Sequence, residues 1–438
     1  MILLRTFKNI FKVEDLRNKI LYTFAVLAVY RFGTQVPLPG IDAVALQKAA
    51  SSMFSGGFLS YINLMSGGAL SQGAIFALGI MPYISASIMM QILGFAIPSL
   101  EALSKEGESG RRVINQYTRY LTIGLSLMQG AGLAAGLEKA FGAGVVISPG
   151  WGFRLTSILI LTVGALFVMW MGEQIGRYGI GQGASLIIFA NIVTRLPESV
   201  LKLAHNIHMG QMDPLVGVAI SLFALTLVGV IVFLERGERR IPVQYARRVV
   251  GKKVFGGMNT YIPLKLNPVG VMPVILTTPM IGMIGMVLSN IAHFTGNAGA
   301  LTDWMSRDSF SMILLQVVLI IFFSFVYTGI QYNPEELAEN IRKSSGFIPG
   351  IRPGKKTAEF FNFVLMRLGA SGSIYLAALA VIPGLALSAM SSPIPLSGLS
   401  LLIAVGVAMD TSSQIESALV ERKYEGFLSS GSLKGRRG

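Results

Sequence analysis

Residue types that could do metal chemistry are few in this sequence. His205 and His208 are spaced so that they could share one face of a helix, and His293 stands alone. The pair has no carboxylate or third ligand beside it, and a metal site needs more donors than two. The chain has no cysteine, which excludes disulfides and thiolate metal sites. We therefore predict no metal, no cofactor and no catalytic centre.

Two segments resemble phosphate-binding loops at first sight. The segment GIRPGKKT (350–357) lacks the first glycine of the phosphate-loop spacing and has a second lysine where serine or threonine is required. The segment GIGQGAS (179–185) offers part of a GxGxxG pattern, but no strand precedes it. The second segment is better interpreted as a turn that leads into a helix, and neither predicts a nucleotide site.

Polar residues inside long apolar segments could carry protons or ions. Asp410 is the clearest case, and Glu416 lies six residues further on, which does not place the two on one helix face. We interpret Asp410 as facing the interior of a helix bundle, with a hydrogen bond to a neighbouring helix. Asn191 and Gln91 are interpreted as interhelical contacts in the same way. A secondary solute transporter that uses Asp410 remains an alternative, whereas an intramembrane enzyme lacks a nucleophile–base pair.

The composition indicates which elements must position these residues. The chain is 52% hydrophobic and 13% charged, whereas soluble domains carry about 25% charged residues. A membrane-spanning helix needs roughly 20 mainly apolar residues. Ten such stretches can be marked, near 20–38, 74–97, 113–135, 155–172, 184–201, 214–234, 268–291, 311–332, 362–384 and 397–417. We predict an all-α integral membrane protein with ten transmembrane helices.

The distribution of lysine and arginine predicts the orientation of these helices. One alternating set of loops, which includes both ends of the chain, holds 27 of the 36 basic residues, whereas the other set holds four. The first twenty residues mix charges throughout and lack the apolar core of a removable signal peptide. Both termini are therefore expected in the cytosol.

Two of the expected cytosolic loops are unusually long. The loop 235–267 contains eight basic residues, and its alternation of residue types is compatible with a β-hairpin. The loop 333–361 begins as a short amphipathic helix and continues into a tip punctuated by glycine and proline. Anchoring to lipid headgroups is one interpretation of such charge. Loops of this length favour the other interpretation, which is docking to an acidic partner.

The segment 51–73 is too polar to span a membrane and too apolar for an ordinary external loop. Two glycine pairs, at 56–57 and 67–68, bracket a short apolar stretch. Non-helical backbone at membrane depth is tolerated where it is buried in protein or faces water. A half-helix that re-enters a cavity fits this pattern, and a surface loop remains the alternative.

Five segments in order along the chain resemble the SecY family, the central subunits of the general protein-secretion channel. The segments are RFGTQVPLPGID (31–42), AIFALGIMPYISASIMMQIL (74–93), MGEQIGRYGIGQGASLIIFANI (171–192), FLERGERRIPVQYARR (233–248) and SGFIPGIRPGKKT (345–357). The resemblance extends over the whole length, and its order makes it specific. It implies a gated channel for unfolded polypeptides, driven by partners and located in the inner cell membrane.

The resemblance also implies an architecture. Spans one to five (1–209) and six to ten (210–438) would form two pseudo-symmetric halves, hinged like a clamshell. A lateral gate between spans two to three and seven to eight would release signal peptides and membrane segments into the lipid, with Ser85, Gln91 and Met283 among its residues. The segment near 55–66 would be a plug that blocks the external half at rest, formed by Phe58, Leu59, Tyr61, Ile62 and Leu64.

A ring of apolar side chains at the narrowest point of the channel is carried over from the family one residue at a time. Its members are Ile80, Ile84, Ala184, Ile188, Ile275 and Ile403. Ala184 departs from the family, which commonly has a bulky aliphatic residue there. An apolar ring can exclude ions by dewetting and offers no specific contact to a passing chain.

The basic loops gain partners through the same resemblance. The ribosome and the SecA motor ATPase are expected to dock on Arg239, Arg247, Lys252, Lys265 and Arg352. Arg352 matches an arginine that the family uses for motor-dependent export. The smaller subunits SecE and SecG are expected to bind the channel, and membrane lipid surrounds it.

Overall fold

The computed structural model describes most of the chain. The described residues are 13–42, 44–46, 63, 66–140, 144–245, 248–250, 253–255, 259–277, 280–281, 284–285, 310–389 and 398–430. These residues are predominantly helical, as the composition predicts.

Eleven helices and five strands are described, here numbered along the chain. The helices are α1 (Glu14–Gly33), α2 (Met81–Ala96), α3 (Pro98–Lys105), α4 (Glu108–Ala140), α5 (Trp151–Tyr178), α6 (Gly183–His208), α7 (Pro214–Glu235), α8 (Phe310–Gln331), α9 (Pro334–Lys343), α10 (Lys355–Ala389) and α11 (Gly398–Ser430). The strands are β1 (Glu238–Tyr245), β2 (Arg248–Val250), β3 (Lys253–Phe255), β4 (Asn259–Lys265) and β5 (Gly346–Phe347).

Seven of the described helices are long and apolar enough to cross a membrane, and an eighth span results if α2 and α3 are taken together. The α2–α3 pair bends by 104°. The bend has a local cause, because Pro98 disfavours helical backbone at the residue before it, and Ile97 is extended. The full count of ten spans stays a prediction.

The second apolar stretch begins its helix later than the sequence suggested. Residues 66–80 form turns, and the helix starts at Met81, not near 74. Gly73 and Gly79 both have positive φ, which a helix excludes, and Pro82 lies in the first turn of α2, where proline is well tolerated. Non-helical backbone therefore precedes α2 at this point.

The chain divides into two compact units. The first comprises Met1–Pro197 with Val407–Gly438, and the second comprises Glu198–Gly406. In the first unit α4 packs against α5 and α2, and α1 packs against α5. In the second unit α10 packs against α8 and α9. The predicted halves, 1–209 and 210–438, stay a prediction.

Backbone hydrogen bonds join the loops at one end of the first unit. Leu38 N donates to Gly73 O at 2.7 Å, and Ile75 N donates to Val36 O at 2.9 Å. Asp42 N donates to Val145 O at 2.9 Å, which adds the segment before α5. A cluster of buried apolar side chains lies beneath, including Leu38, Leu70, Leu137, Phe153 and Leu161. These bonds give the turns after residue 66 a fixed position.

The two long basic loops of the second unit fold together. Strands β1 and β4 form the predicted hairpin, and β5 joins β1 on its other edge, which gives the order β4-β1-β5. The predicted short helix is α9, where Asn333 caps the first turn and Pro334 occupies its first position. The hairpin, α9, the tip after β5 and α10 share one core of buried side chains. This core includes Ile241, Val243, Leu264, Ile341, Ile348 and Phe361.

Candidate functional site

Two of the predicted ring residues lie where the turns give way to α2. Ile80 directly precedes the helix and Ile84 follows one turn later, with Ile84 N donating to Ile80 O at 3.1 Å. Both side chains are buried, at 1% and 7% exposure. Because Gly79 takes a positive φ just before them, the chain turns sharply at this point. The two isoleucines therefore lie at the junction of irregular backbone and helix.

The start of α6 meets Ile80 through a close helix contact. A Cβ built on Gly172 of α5 would stand 3.3 Å from Ile80 Cδ1 and 3.6 Å from Ala184 N. A Cβ on Gly183 would stand 1.9 Å from Gly172 O, so the two backbones touch here and leave no room for a side chain. Ile188, one turn along α6, is buried at 1% exposure. Ile80 and Ala184 thus lie beside the same glycine contact.

The remaining two ring residues belong to the second unit. Ile275 lies in a helical segment from 272 to 277, and Ile403 lies on α11 with no exposed surface. A Cβ on Gly406 would stand 2.4 Å from Val271 Cγ1, so the turn before Ile275 contacts α11 close to Ile403. A closed ring of all six side chains stays a prediction.

The plug and gate predictions fall partly outside the described residues. All five plug side chains, Phe58, Leu59, Tyr61, Ile62 and Leu64, lie outside them, as does Met283 of the gate. Ser85 on α2 is buried at 3% exposure. Gln91 lies on the exposed part of the same helix. The plug and the lateral gate stay predictions.

The predicted docking residues that can be described lie on the folded basic loops (β1, β4, β5, α9 and the first turns of α10). We call these loops the cytosolic module after their predicted location. Arg239 and Lys265 are exposed near the base of the hairpin, and Arg352 is exposed on the tip between β5 and α10. Gly350 and Gly354 have positive φ on either side of Arg352, and Thr357 Oγ1 donates to Arg352 O at 3.0 Å. Arg247 and Lys252 lie outside the described residues.

Strand pairing and a shared core join the parts of the module. Gln244 pairs with Phe347 and Tyr245 with Gly346, which ties the tip to the hairpin. Phe361 on α10 has no exposed surface in the shared core. In α9, a hydrogen bond from Arg342 at 2.7 Å holds the pKa of the Glu339 carboxyl below its usual range. The hairpin and the tip therefore belong to one folded unit.

Comparison with known proteins identifies the family. A family model described as SecY matches residues 74–412. The protein translocase subunit SecY of Rickettsia conorii is 42% identical over 424 residues, which span 96% of this chain and 98% of that protein. The chain belongs to the SecY family. Seven of its described helices are apolar and long enough to span a membrane, so it is a multi-pass membrane protein.

Two solved structures have the same fold. One is a SecY protein whose plug domain is described as stabilising the closed state of its translocation channel and maintaining a membrane seal. It matches with a TM-score of 0.66 at 17% identity, covering 95% of each chain. The other is Sec61 of a canine ribosome–channel complex from the endoplasmic reticulum, with a TM-score of 0.58, 16% identity and 95% of each chain covered.

One polar prediction is tested by the position of the residue in this SecY-family chain. Asn191 is buried at 1% exposure, and its Nδ2 donates to Tyr30 Oη at 2.9 Å, which confirms an interhelical contact. Asp410 is exposed on α11, within an apolar helix long enough to span a membrane. An exposed acidic side chain in a span can line a water-filled cavity, so the interpretation that Asp410 faces the bundle interior stays a prediction.

The histidines lie in the last turn of α6, which continues past the predicted end near 201 in spite of Pro197. His205 and His208 thus lie on a helix. Within the described ranges, no group of three or more His, Cys, Asp or Glu side chains is placed to hold a metal ion. His293 lies outside those ranges.

Sequence reasoning missed the partners of the arginines in or beside the spans. Arg119 of α4 forms two hydrogen bonds to Glu173 of α5, at 2.8 and 2.7 Å, beside a polar cleft of about 150 Å³ between α2, α4 and α5. Arg31 and Arg195 donate to backbone carbonyl oxygens of the turns before α2. Carbonyl partners leave no trace in residue types, so the sequence carried no signal for them.

Proposed function

We propose that this chain is the central subunit of a protein-conducting channel, which passes unfolded secretory polypeptides across the membrane and releases membrane segments sideways into it. The observation that carries the proposal is the match to a protein translocase subunit over 96% of the chain. The driving force is proposed to come from partner proteins, as the resemblance to the family implies.

The proposed seal is the ring of Ile80, Ile84, Ala184, Ile188, Ile275 and Ile403. All five isoleucines are buried, and the short alanine is half-buried beside Gly172. Apolar side chains exclude ions by dewetting when nothing occupies the opening. A charged side chain held in hydrocarbon costs several kcal/mol of free energy. A seal one or two residues thick imposes this cost only while the charged residue passes the ring. Because isoleucine offers no hydrogen bonds, such a seal accepts any sequence.

The rest of the channel follows the family architecture. Ten spans form two halves, 1–209 and 210–438, that part to admit a polypeptide. Ser85, Gln91 and Met283 belong to the lateral gate, and the segment near 55–66 closes the external side at rest. The irregular backbone at 66–80 supports this proposal, because such backbone at membrane depth requires protein or water around it.

The cytosolic module is the proposed docking surface for the ribosome and for the SecA motor. Its hairpin and its tip carry Arg239, Lys265 and Arg352 on one folded support, with Arg247 and Lys252 on the same loop. Contact with phosphate-rich RNA weakens as the salt concentration rises, because the counterions released on binding then contribute less free energy. SecE and SecG complete the channel. A location in the cell membrane is part of the same proposal, and the excess of basic residues in these loops supports an orientation with both termini cytosolic.

Reconstitution tests the proposal. The chain is assembled with SecE and SecG in liposomes, and SecA, ATP and an unfolded secretory protein are added outside. Protease-protected substrate that requires this chain supports the proposal. Equal protection in liposomes that lack the chain contradicts it, and so does uptake of a small solute by the chain alone with no protection of polypeptide.

A further inference from the structure

Two arginines near the spans converge on one short piece of backbone. Five arginines lie in spans or at their ends: Arg31, Arg119, Arg154, Arg195 and Arg367. Arg119 and Arg154 pair with glutamates, and Arg367 stacks over Phe363 at 4.0 Å. Arg31 and Arg195, from different helices, both donate to carbonyl oxygens of the turns that precede α2. An ionisable side chain at membrane depth is costly and calls for a functional explanation.

The target of both arginines is here called the anchor turn (Asn63 and residues 66–73). Its shape is fixed from within, because Gly68 N donates to Asn63 O at 2.8 Å and Ser71 N donates to Asn63 Oδ1 at 3.0 Å. Ser71 Oγ donates to Gly68 O at 2.8 Å. The carbonyl oxygens of Asn63 and Gly67 then accept the arginine bonds.

The two arginine bonds approach the anchor turn from two helices. Arg31, in the last turn of α1, places Nη1 2.9 Å from Gly67 O. Arg195, on α6, places Nη2 3.0 Å from Asn63 O. Both arginines are only partly exposed, and hydrogen bonds from a charged donor are stronger than neutral ones. The anchor turn is thus fastened to α1 and to α6 independently of its own side chains.

The contact beneath the anchor turn is close enough to require glycine. A Cβ on Gly67 would stand 2.4 Å from Asn191 Oδ1, and a Cβ on Gly68 would stand 3.0 Å from Arg195 Nη2. Both glycines also have positive φ, which other residues adopt with strain. Asn191 is itself bonded to Tyr30 of α1. The anchor turn therefore rests directly on the seam between α1 and α6.

We propose that Arg31 and Arg195 are positioning residues that hold the anchor turn against α1 and α6 in the resting channel. This inference rests on the proposed function, in which the stretch directly before the anchor turn closes the external side. Because the bonds go to the backbone carbonyls of Asn63 and Gly67, they do not depend on the residue types of the proposed plug. A channel without these bonds holds its resting seal less firmly.

The first test measures the anchor turn itself and does not depend on transport. The chain has no cysteine, so Gln72→Cys provides a single site for a nitroxide in the reconstituted complex. Loss of one charged hydrogen bond shifts a local ordering equilibrium roughly tenfold. In Arg31→Gln and Arg195→Gln we expect the mobile fraction of the label to rise by about that factor, and in the double variant by more. Arg119→Gln is the matched control and leaves the spectrum unchanged.

A second perturbation approaches the same contact from the other side. Gly67→Ala places a methyl group against Asn191 and should raise label mobility without removing any charge. Ala69→Gly, in the same turn, changes a buried residue without adding volume and is its control. An immobile label in the double arginine variant and in Gly67→Ala overturns the inference, whatever the channel does.

The resting ion conductance of the same variants in planar bilayers connects the anchor turn to the seal. A mobile label together with raised conductance in Arg31→Gln and Arg195→Gln supports the inference in full. A mobile label with wild-type conductance overturns the claim that the anchor turn serves the seal. If the unaltered chain protects polypeptide in the liposome assay described above, the proposed function stands and the inference alone fails.

Discussion

The glycine contact between α5 and α6 makes a sharp prediction about the seal. In Gly183→Ala the new methyl group would stand 1.9 Å from Gly172 O, whereas ordinary contacts begin near 3.4 Å. The obstacle is backbone on both sides, so no flexible side chain can move aside. The start of α6 must therefore shift by roughly 1.5 Å, the difference between those distances. Overpacking of this kind costs about 1–3 kcal/mol or more.

The shift should be felt at the ring, because Ala184 follows Gly183 directly and Ile188 lies one turn further along α6. We expect Gly183→Ala to lower the thermal stability of the purified complex and to raise its resting ion conductance in planar bilayers. Both effects have one cause, since the same displacement opens the contact with α5 and moves two ring positions.

Two glycines of α5, the helix that Gly183 contacts, supply a graded control. At Gly176 a Cβ would meet nothing within 4 Å, so Gly176→Ala should match the wild type in stability and conductance. At Gly172 the nearest atom is Ile80 Cδ1 at 3.3 Å, so Gly172→Ala should produce a small effect. Equal behaviour of Gly183→Ala and Gly176→Ala would refute the reasoning.

Three further predictions concern the ring and the cytosolic module. Replacing Ile84 and Ile188 together with Ser should raise resting ion leak in planar bilayers, because polar side chains wet the opening; unchanged conductance would place the seal elsewhere. Arg352→Glu should abolish motor-driven export into vesicles while the chain remains inserted and partnered, and normal export would remove Arg352 from the docking surface. Phe361→Ala should destabilise the module by about 3–5 kcal/mol, expose the β1–β4 hairpin to limited proteolysis and weaken motor binding, with ion leak unchanged; a protease-resistant hairpin would contradict the shared core.

The membrane helices were largely predictable, because long apolar stretches need no tertiary information. Their ends were not. The helix expected near 74 begins at Met81, since the backbone at Gly73 and Gly79 takes positive φ. A Cβ on Gly164 of α5 would stand 2.3 Å from Ile75 O, so α5 packs closely against the turns before α2. Glycines of this kind are common in spans, and the sequence does not mark which ones meet backbone.

The cytosolic module was predictable in its parts and not as a whole. The hairpin and the short amphipathic helix were predicted from local residue patterns. The link between them is a two-residue strand, Gly346–Phe347, which is too short to leave a pattern. Ser345 precedes it with φ of 55°, a left-handed conformation for a residue other than glycine. Long-range pairing of this kind depends on the fold and not on local preference.

The pore ring came from resemblance to the family, because isoleucines in apolar segments carry no signal of their own. The structure adds that Ile80 and Ala184 adjoin one glycine contact and that all five isoleucines are buried. The arginine bonds to the anchor turn were beyond sequence reasoning, since a backbone carbonyl is present at every position.

Photo-crosslinking of a trapped substrate tests the central claim most directly. A secretory polypeptide is stalled halfway through the reconstituted channel, and a photoreactive amino acid replaces Ile80, Ile84, Ile188 or Ile275 in turn. Phe233 on α7, which is 77% exposed, is the control position. The account predicts crosslinks from the four isoleucine positions and none from Phe233. A stalled chain that reacts at none of the four, or equally at Phe233, would contradict it.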